Sequence, residues 1–250
     1  MNLKPFWRYY GGKWRAAPRY PKPLHGKIIE PFAGAAGYSL RYSDLDVTLV
    51  DVYPRVVEIW RYLVGVRSDE ILRIPLVESV HELPSWVPAG GRDLVGFAMN
   101  AGTVQPCKNL SAGRKKLREQ GRVFEGWSEQ MRARVAHQVE KIKHWKVREG
   151  SFETIENSTA TWFIDPPYNN KAGSYYVHSD VDYALLARWC KTRSGRVIVC
   201  ENTGADWLPF QHLHDSKAFL KSSSAEAIWT KDQASIYDTI IDTMKLARAT

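Results

Sequence analysis

The stretch that decides the fold is ATWFIDPPY, residues 160–168. Ala160 to Ile164 run without polar alternation, the pattern of a strand buried on both faces of a parallel sheet. The run ends on an acid, two prolines and a tyrosine. Proline fixes φ and removes a backbone donor. The corner Asp165-Pro166-Pro167-Tyr168 is therefore rigid and rich in acceptors. Asp165 contributes a carboxylate, the prolines contribute aimed carbonyls, and Tyr168 contributes a flat aromatic face. Acceptors beside a stacking plane suit a planar ring that carries an exocyclic NH2. A plain strand-ending turn is the simpler reading of the same four residues.

Outward from this corner the chain alternates. GKIIEPF (26–32) reads as a strand, and GAAGYSLRY (34–42) as a tight small-residue turn entering a helix. VTLVDV (47–52) is the next strand, and Pro54 opens an apolar-periodic helix through Leu63. A helix is expected near 180–191, a strand at GRVIVCEN (195–202) and another within ASIYDTIIDT (234–243). Strands alternating with helices imply a parallel sheet. The middle is different. SWVPAGGRD (85–93) reads as a loop, LVGFAMNAG (94–102) as helix, and 103–127 has no clear period. Residues 126–146 read as a helix with Trp127, Met131, Val135, Val139 and Ile142 on its buried face. The expectation is an α/β, Rossmann-like domain built from 1–67 and 151–250. A basic, mostly helical or irregular segment at 68–150 is inserted into it.

Bulk properties set the class. The chain has 250 residues and is 44% hydrophobic, enough for one sizeable core. It has no apolar run long enough for a membrane span and no apolar leader at its start. Cys107, Cys190 and Cys200 are odd in number and lack the spacing of a disulfide framework or a zinc site. No metal is expected, and a reducing cytoplasm is the expected home. The net charge is +8, and it is unevenly placed. Residues 1–27 hold seven basic residues and no acid, and residues 103–148 hold twelve basic against four acidic. Two basic segments in an otherwise acidic chain point to a polyanion partner, although solvated surface is the plainer alternative.

Three further features stand near predicted strand ends, where open parallel sheets bind ligands. EPFAGAAGYS (30–39) places Gly34, Ala35, Ala36 and Gly37 after a strand, so that backbone can approach a ligand closely. Small residues at such a turn also serve packing alone. Asp51 ends the following strand, where an acid can accept from both hydroxyls of a ribose. It can equally favour the start of the next helix. FWRYYGGKWR (6–15) interleaves rings with cations, which fits a nucleoside or nucleic acid.

WRYYGGKW, EPFAGAAG, LVDV and FIDPPY, in that order, resemble the Dam-like DNA adenine-N6 methyltransferases of the alpha group of S-adenosylmethionine-dependent amino-methyltransferases. The resemblance spans nearly the whole chain. It implies that Tyr9 and Lys13 line the methionine side of an S-adenosylmethionine pocket. Glu30, Phe32, Gly34 and Ala35 would form its loop wall, and Asp51 would bind the ribose. Asp165 and the Pro166 carbonyl would accept from the target amine, Pro167 would stiffen the corner, and Tyr168 would stack on a base flipped out of duplex DNA. In the inserted segment Lys108, Arg114, Lys115, Lys116, Arg118 and Arg122 would hold phosphates. The chain departs from the family pattern at Ala36, where the second glycine of the FxGxG loop belongs, with Gly37 displaced by one. Three other readings share these residues: RNA adenine as substrate, cytosine N4 as target, and a nucleic-acid-binding protein with a vestigial cofactor fold.

Overall fold

The parallel pairing implied by the alternation is present. The computed structural model describes residues 2–100, 102–120, 126–217 and 223–232. β1 (Lys27–Glu30) lies between β2 (Asp46–Asp51) and β4 (Ala160–Ile164), parallel to both. β3 (Lys146–Glu149) extends the sheet beyond β2, and β5 (Gly195–Asn202) pairs with β4, again in parallel. β7 (Ser223–Asp232) runs antiparallel to β5, and β6 (Gln211–Lys217) closes the edge antiparallel to β7. The order is β3-β2-β1-β4-β5-β7-β6, a Rossmann-like sheet whose strand order reverses between β1 and β4. Ligands bind outside the carboxyl ends of strands at such a switch point. Those are the ends that carry Gly34 and Asp165.

β4 is buried at all five positions. Phe163 faces one core, where it stacks on Tyr38 with ring centroids 4.3 Å apart. Trp162 and Ile164 face a second core, with Leu186 and Trp189 of the helix α6 (Tyr183–Thr192). α1 (Pro54–Gly65) buries Val56, Ile59, Trp60 and Leu63 in the first core. α2 (Ser68–Arg73), α3 (Ala89–Met99) and α5 (Glu129–Val139) bury residues in the same core. These three helices therefore share the apolar interior of the sheet. No helix among the described residues is long and apolar enough to cross a membrane.

The structure corrects several expectations. GAAGYSLRY leads into a 3-10 turn, Ser39–Tyr42, and not into an α-helix. β2 begins four residues beyond that turn, so the connection has no room for several helical turns. The helix read over 126–146 stops at Val139, passes through a 3-10 turn and gives way to β3. β3 is a short edge strand with mostly exposed side chains, so it has no apolar signature. It belongs to the sheet and not to the inserted segment 68–150. α3 starts at Ala89, inside the stretch read as loop. Gly90 and Gly91 lie within this helix because α1 passes close by; an added Cβ on Gly90 would stand 2.3 Å from the Glu58 carbonyl oxygen. The strand expected at 234–243 lies outside the described residues.

Candidate active site

The loop after β1 forms one wall of the site. Gly34 takes φ +44° and Ala36 takes φ +48°. Glycine adopts this left-handed backbone freely, whereas an L-residue with a Cβ loses about 1–2 kcal/mol there. The Trp60 indole of α1 donates to the Gly34 carbonyl at 2.8 Å and holds the loop down. Gly37 has a different task. An added Cβ there would stand 2.5 Å from the Trp14 backbone nitrogen. Only glycine lets the N-terminal arm lie so close against this loop.

The arm is fixed at several points. The Trp14 indole donates to the Leu3 carbonyl at 2.7 Å, and the Arg41 guanidinium lies 4.0 Å from the Trp14 ring centroid. Tyr9 forms a parallel bridge with Thr103, and the Tyr10 N–H donates to the Thr103 carbonyl at 3.3 Å. The tyrosine-rich arm and the start of the basic segment are thereby joined. Tyr176, on the turn after the proline corner, donates from its hydroxyl to the Tyr10 carbonyl at 3.0 Å.

Asp51 stands at the end of β2 as expected. Its Oδ2 accepts from the Gly34 N–H at 2.9 Å and its Oδ1 from the Tyr53 N–H at 2.8 Å. Burial pushes this carboxyl above its ordinary value, and those two N–H groups oppose the rise. Glu30 is 2% exposed, and its Oε1 accepts from the Ser39 N–H at 2.8 Å, bracing the far end of the loop. Burial pushes Glu30 up to about 8, against the hydrogen bonding from Ser39. Phe32 packs on Phe152, with ring centroids 5.8 Å apart. Tyr9 lies across Gly34, and Ala35 lines the same cavity.

At the end of β4, Asp165 meets Lys13. The ammonium is 2.8 Å from Asp165 Oδ1, 3.0 Å from the Gly11 carbonyl and 3.8 Å from Glu226 Oε1. It also lies 4.7 Å from the centroid of the Tyr168 ring. The resemblance assigns Lys13 to the methionine side of a cofactor pocket; in the structure its ammonium rests on the proline corner. Burial alone would pull Lys13 down, but Asp165 and Glu226 together raise it above its ordinary value. Burial pushes Asp165 up to about 6, against the pull of the Lys13 ammonium, and Glu226 adds to the rise. The Pro167 carbonyl accepts from the Tyr183 hydroxyl at 2.7 Å, which ties the corner to α6. Glu201, at the end of β5, accepts from the Asn169 N–H at 3.1 Å and from the Trp207 indole at 2.9 Å.

Tyr9, Lys13, Glu30, Phe32, Gly34, Ala35, Asp51, Asp165 and Pro167 line one cavity of about 630 Å3, part of it open to solvent. Pro166 and Tyr168 adjoin it at the corner. Two residues at this end escaped the sequence reading. Glu226 sits on β7 and accepts from the hydroxyls of both Tyr20 and Tyr168. Tyr176 contributes to the cavity wall. The signal for Glu226 was a single acid set among Ala225, Ala227 and Ile228, which a buried strand does not carry without a partner.

The basic residues are placed more loosely. α4 (Ala112–Glu119) carries Arg114, Lys115, Lys116 and Arg118. Lys108 and Lys116 are exposed, and Lys115 pairs with Glu78 at 3.0 Å. Arg122 lies outside the described residues. Burial, then the charges of Arg114, Arg15 and Arg134, lower the Arg8 guanidinium from its ordinary value. The arm and α4 therefore present their charges to one another's neighbourhood.

No known family model matches the chain, and no curated protein matches it. A solved structure to which it is similar is the "Putative methyltransferase yhhF from Escherichia coli", at 10% identity and a TM-score of 0.35, over 89% of this chain and 82% of that one. A likeness this distant leaves activity to the chemistry of the site.

Proposed function

We propose that the chain transfers a methyl group from S-adenosylmethionine to the exocyclic N6 amine of an adenine flipped out of duplex DNA. The observation that carries this reading is the position of the Lys13 ammonium. An amine nitrogen already rests between the Asp165 carboxylate and the Tyr168 ring, where the acceptor nitrogen would have to be.

The residues at the switch point fit the cofactor. The Asp51 oxygens accept from backbone N–H groups, among them those of Gly34 and Tyr53, and each carboxylate oxygen offers two lone pairs, so the side chain can still accept from a ribose hydroxyl. The left-handed backbone at Gly34 brings the loop against the cavity. Asp51 and Asp165 outnumber Lys13 around it, and this acidic lining favours a cationic sulfonium. When bound, the cofactor supplies a methyl whose C–S bond breaks as the N–C bond forms, leaving a neutral thioether and a positively charged amine.

The chain's own residues prepare the amine. Adenine N6 is a poor nucleophile because its lone pair is delocalised into the ring. Asp165 and the Pro166 carbonyl, by accepting from both N–H bonds, favour a pyramidal nitrogen aimed at the methyl. Asp165, whose carboxylate meets the Lys13 ammonium at 2.8 Å, is placed to receive the proton that the methylated amine sheds. Tyr168 provides the stacking face, and flipping the base supplies access to N6. Exposed Lys108 and Lys116, with Arg114, Lys115 and Arg118 of α4, would hold phosphates and make binding salt-sensitive.

The test uses matched DNA and RNA oligonucleotides, labelled cofactor and nucleoside analysis of the product. The expected product is N6-methyladenine in the DNA duplex. Transfer confined to RNA would replace the substrate, transfer to cytosine N4 would replace the base, and no cofactor binding by calorimetry would support the vestigial-fold reading.

A further inference from the structure

Glu226 enters the site from β7, and the chemistry above assigns it no step. Its residue is 6% exposed. A carboxylate removed from water to that degree needs several donors to hold it. Here they converge on one oxygen. Oε1 accepts from the Tyr20 hydroxyl at 2.6 Å and from the Tyr168 hydroxyl, and it stands 3.8 Å from the Lys13 ammonium.

Two consequences follow from this geometry. The Tyr168 ring is tethered through its hydroxyl, which sets the plane on which a base would stack. Lys13 also has two anions within reach, Asp165 at 2.8 Å and Glu226 at 3.8 Å. While Lys13 holds Asp165 and covers the Tyr168 ring, a target amine has no place there. A short shift toward Glu226 would free Asp165 without stranding a buried ammonium, which is strongly unfavourable without a counter-ion.

We infer that Glu226 is a positioning residue of the acceptor site, fixing the Tyr168 ring and taking over Lys13 when the target amine takes Asp165. This inference rests on the methyl-transfer reading. It differs from that reading in assigning a task to a residue that touches neither cofactor nor base.

The experiment measures steady-state kinetics with labelled cofactor and an adenine-containing duplex for the wild type, Glu226→Gln, Tyr168→Phe and the double variant. Calorimetry supplies the cofactor Kd of each, and thermal melts report folding. Glu226→Gln keeps the shape and removes the charge. The expected result is an acceptor KM raised about tenfold or more with a cofactor Kd within about twofold of wild type. Because Glu226 acts partly through the Tyr168 hydroxyl, the double variant should lose less than the product of the two single losses. Kinetics for Glu226→Gln within about twofold of wild type, or a double variant whose losses multiply fully, overturns the inference. If Glu226→Gln does not fold, Tyr168→Phe carries the test: a raised acceptor KM with unchanged cofactor Kd supports the inference, and an unchanged KM overturns it. Wild-type protein that transfers no methyl group defeats the activity reading and this inference with it. Wild-type transfer with unaltered variants defeats only the role of Glu226.

Discussion

The two halves of the cavity solve the problem of buried charge in different ways. On the β1–β2 side each acid is held by backbone. Asp51 accepts from Gly34 and Tyr53, and Glu30 accepts from Ser39. Those donors belong to the loop geometry itself and move only if the loop moves. On the β4–β7 side the charged groups hold one another: Lys13 pairs with Asp165 within reach of Glu226, and two tyrosine hydroxyls donate to Glu226. These are side-chain partners that can be exchanged one at a time. The contrast matches the proposed division of labour, with a preorganised cradle for a cofactor on one side and a convertible site for an incoming amine on the other. Preorganisation strengthens binding by removing ordering losses, whereas a site that must release an internal amine before accepting an external one needs partners that exchange.

That contrast can be broken from the cradle side. The largest effect is expected for Gly37→Ala. Its new Cβ would meet the Trp14 nitrogen at 2.5 Å and the Lys13 backbone at 3.0 Å, and backbone cannot yield as a side-chain tip can. The arm should be displaced from the loop, with a stability loss on the order of 3 kcal/mol in chemical denaturation and loss of cofactor binding. Unchanged stability would show that the arm is not seated on this loop. Asp51→Asn should act more narrowly. An amide can accept only at its oxygen, so one of the two backbone N–H groups loses its partner, a loss of about 1–3 kcal/mol. Cofactor Kd should rise about 10- to 100-fold by the same measure, with duplex affinity unaltered. A cofactor Kd that does not move would remove Asp51 from the cradle.

The smallest effect sharpens the account of the loop. An ordinary buried Ala→Gly change loses a methyl's burial, about 0.8 kcal/mol, and adds about 0.5–1 kcal/mol of backbone entropy. At Ala36 the left-handed backbone returns about 1–2 kcal/mol when the Cβ is removed. Ala36→Gly should therefore change stability by less than about 0.8 kcal/mol in either direction, the balance of those figures. A loss of about 1.3–1.8 kcal/mol, the full unstrained sum, would show an unstrained loop.

The same contrast explains what the sequence reveals. β1, β2, β4 and β5 are legible because central parallel strands are buried on both faces and read as apolar runs. The cradle residues are legible because small residues and a terminal acid must follow those strands directly. β3 is hidden because an exposed edge strand needs no apolar residues, and its charged KVRE looks like the end of a helix. Gly90 and Gly91 look like loop residues because the contact that requires them, the close passage of α1, involves a distant part of the chain. The convertible half is hidden for the same reason. Lys13, Tyr168 and Glu226 are far apart in sequence, and nothing local in the strand carrying Glu226 indicates what it will meet. The Asp165-Pro166-Pro167-Tyr168 corner is readable; the side chains that converge on it are supplied by topology.

The most direct test of the central claim compares wild type with Asp165→Ala for methyl transfer to duplex DNA, with duplex binding measured on the same samples. Removing the carboxylate removes the acceptor that shapes the amine. The account predicts that transfer falls by about 1,000-fold or more while duplex affinity stays within about threefold, because phosphate contacts dominate binding. Transfer at near wild-type rates in Asp165→Ala would contradict it.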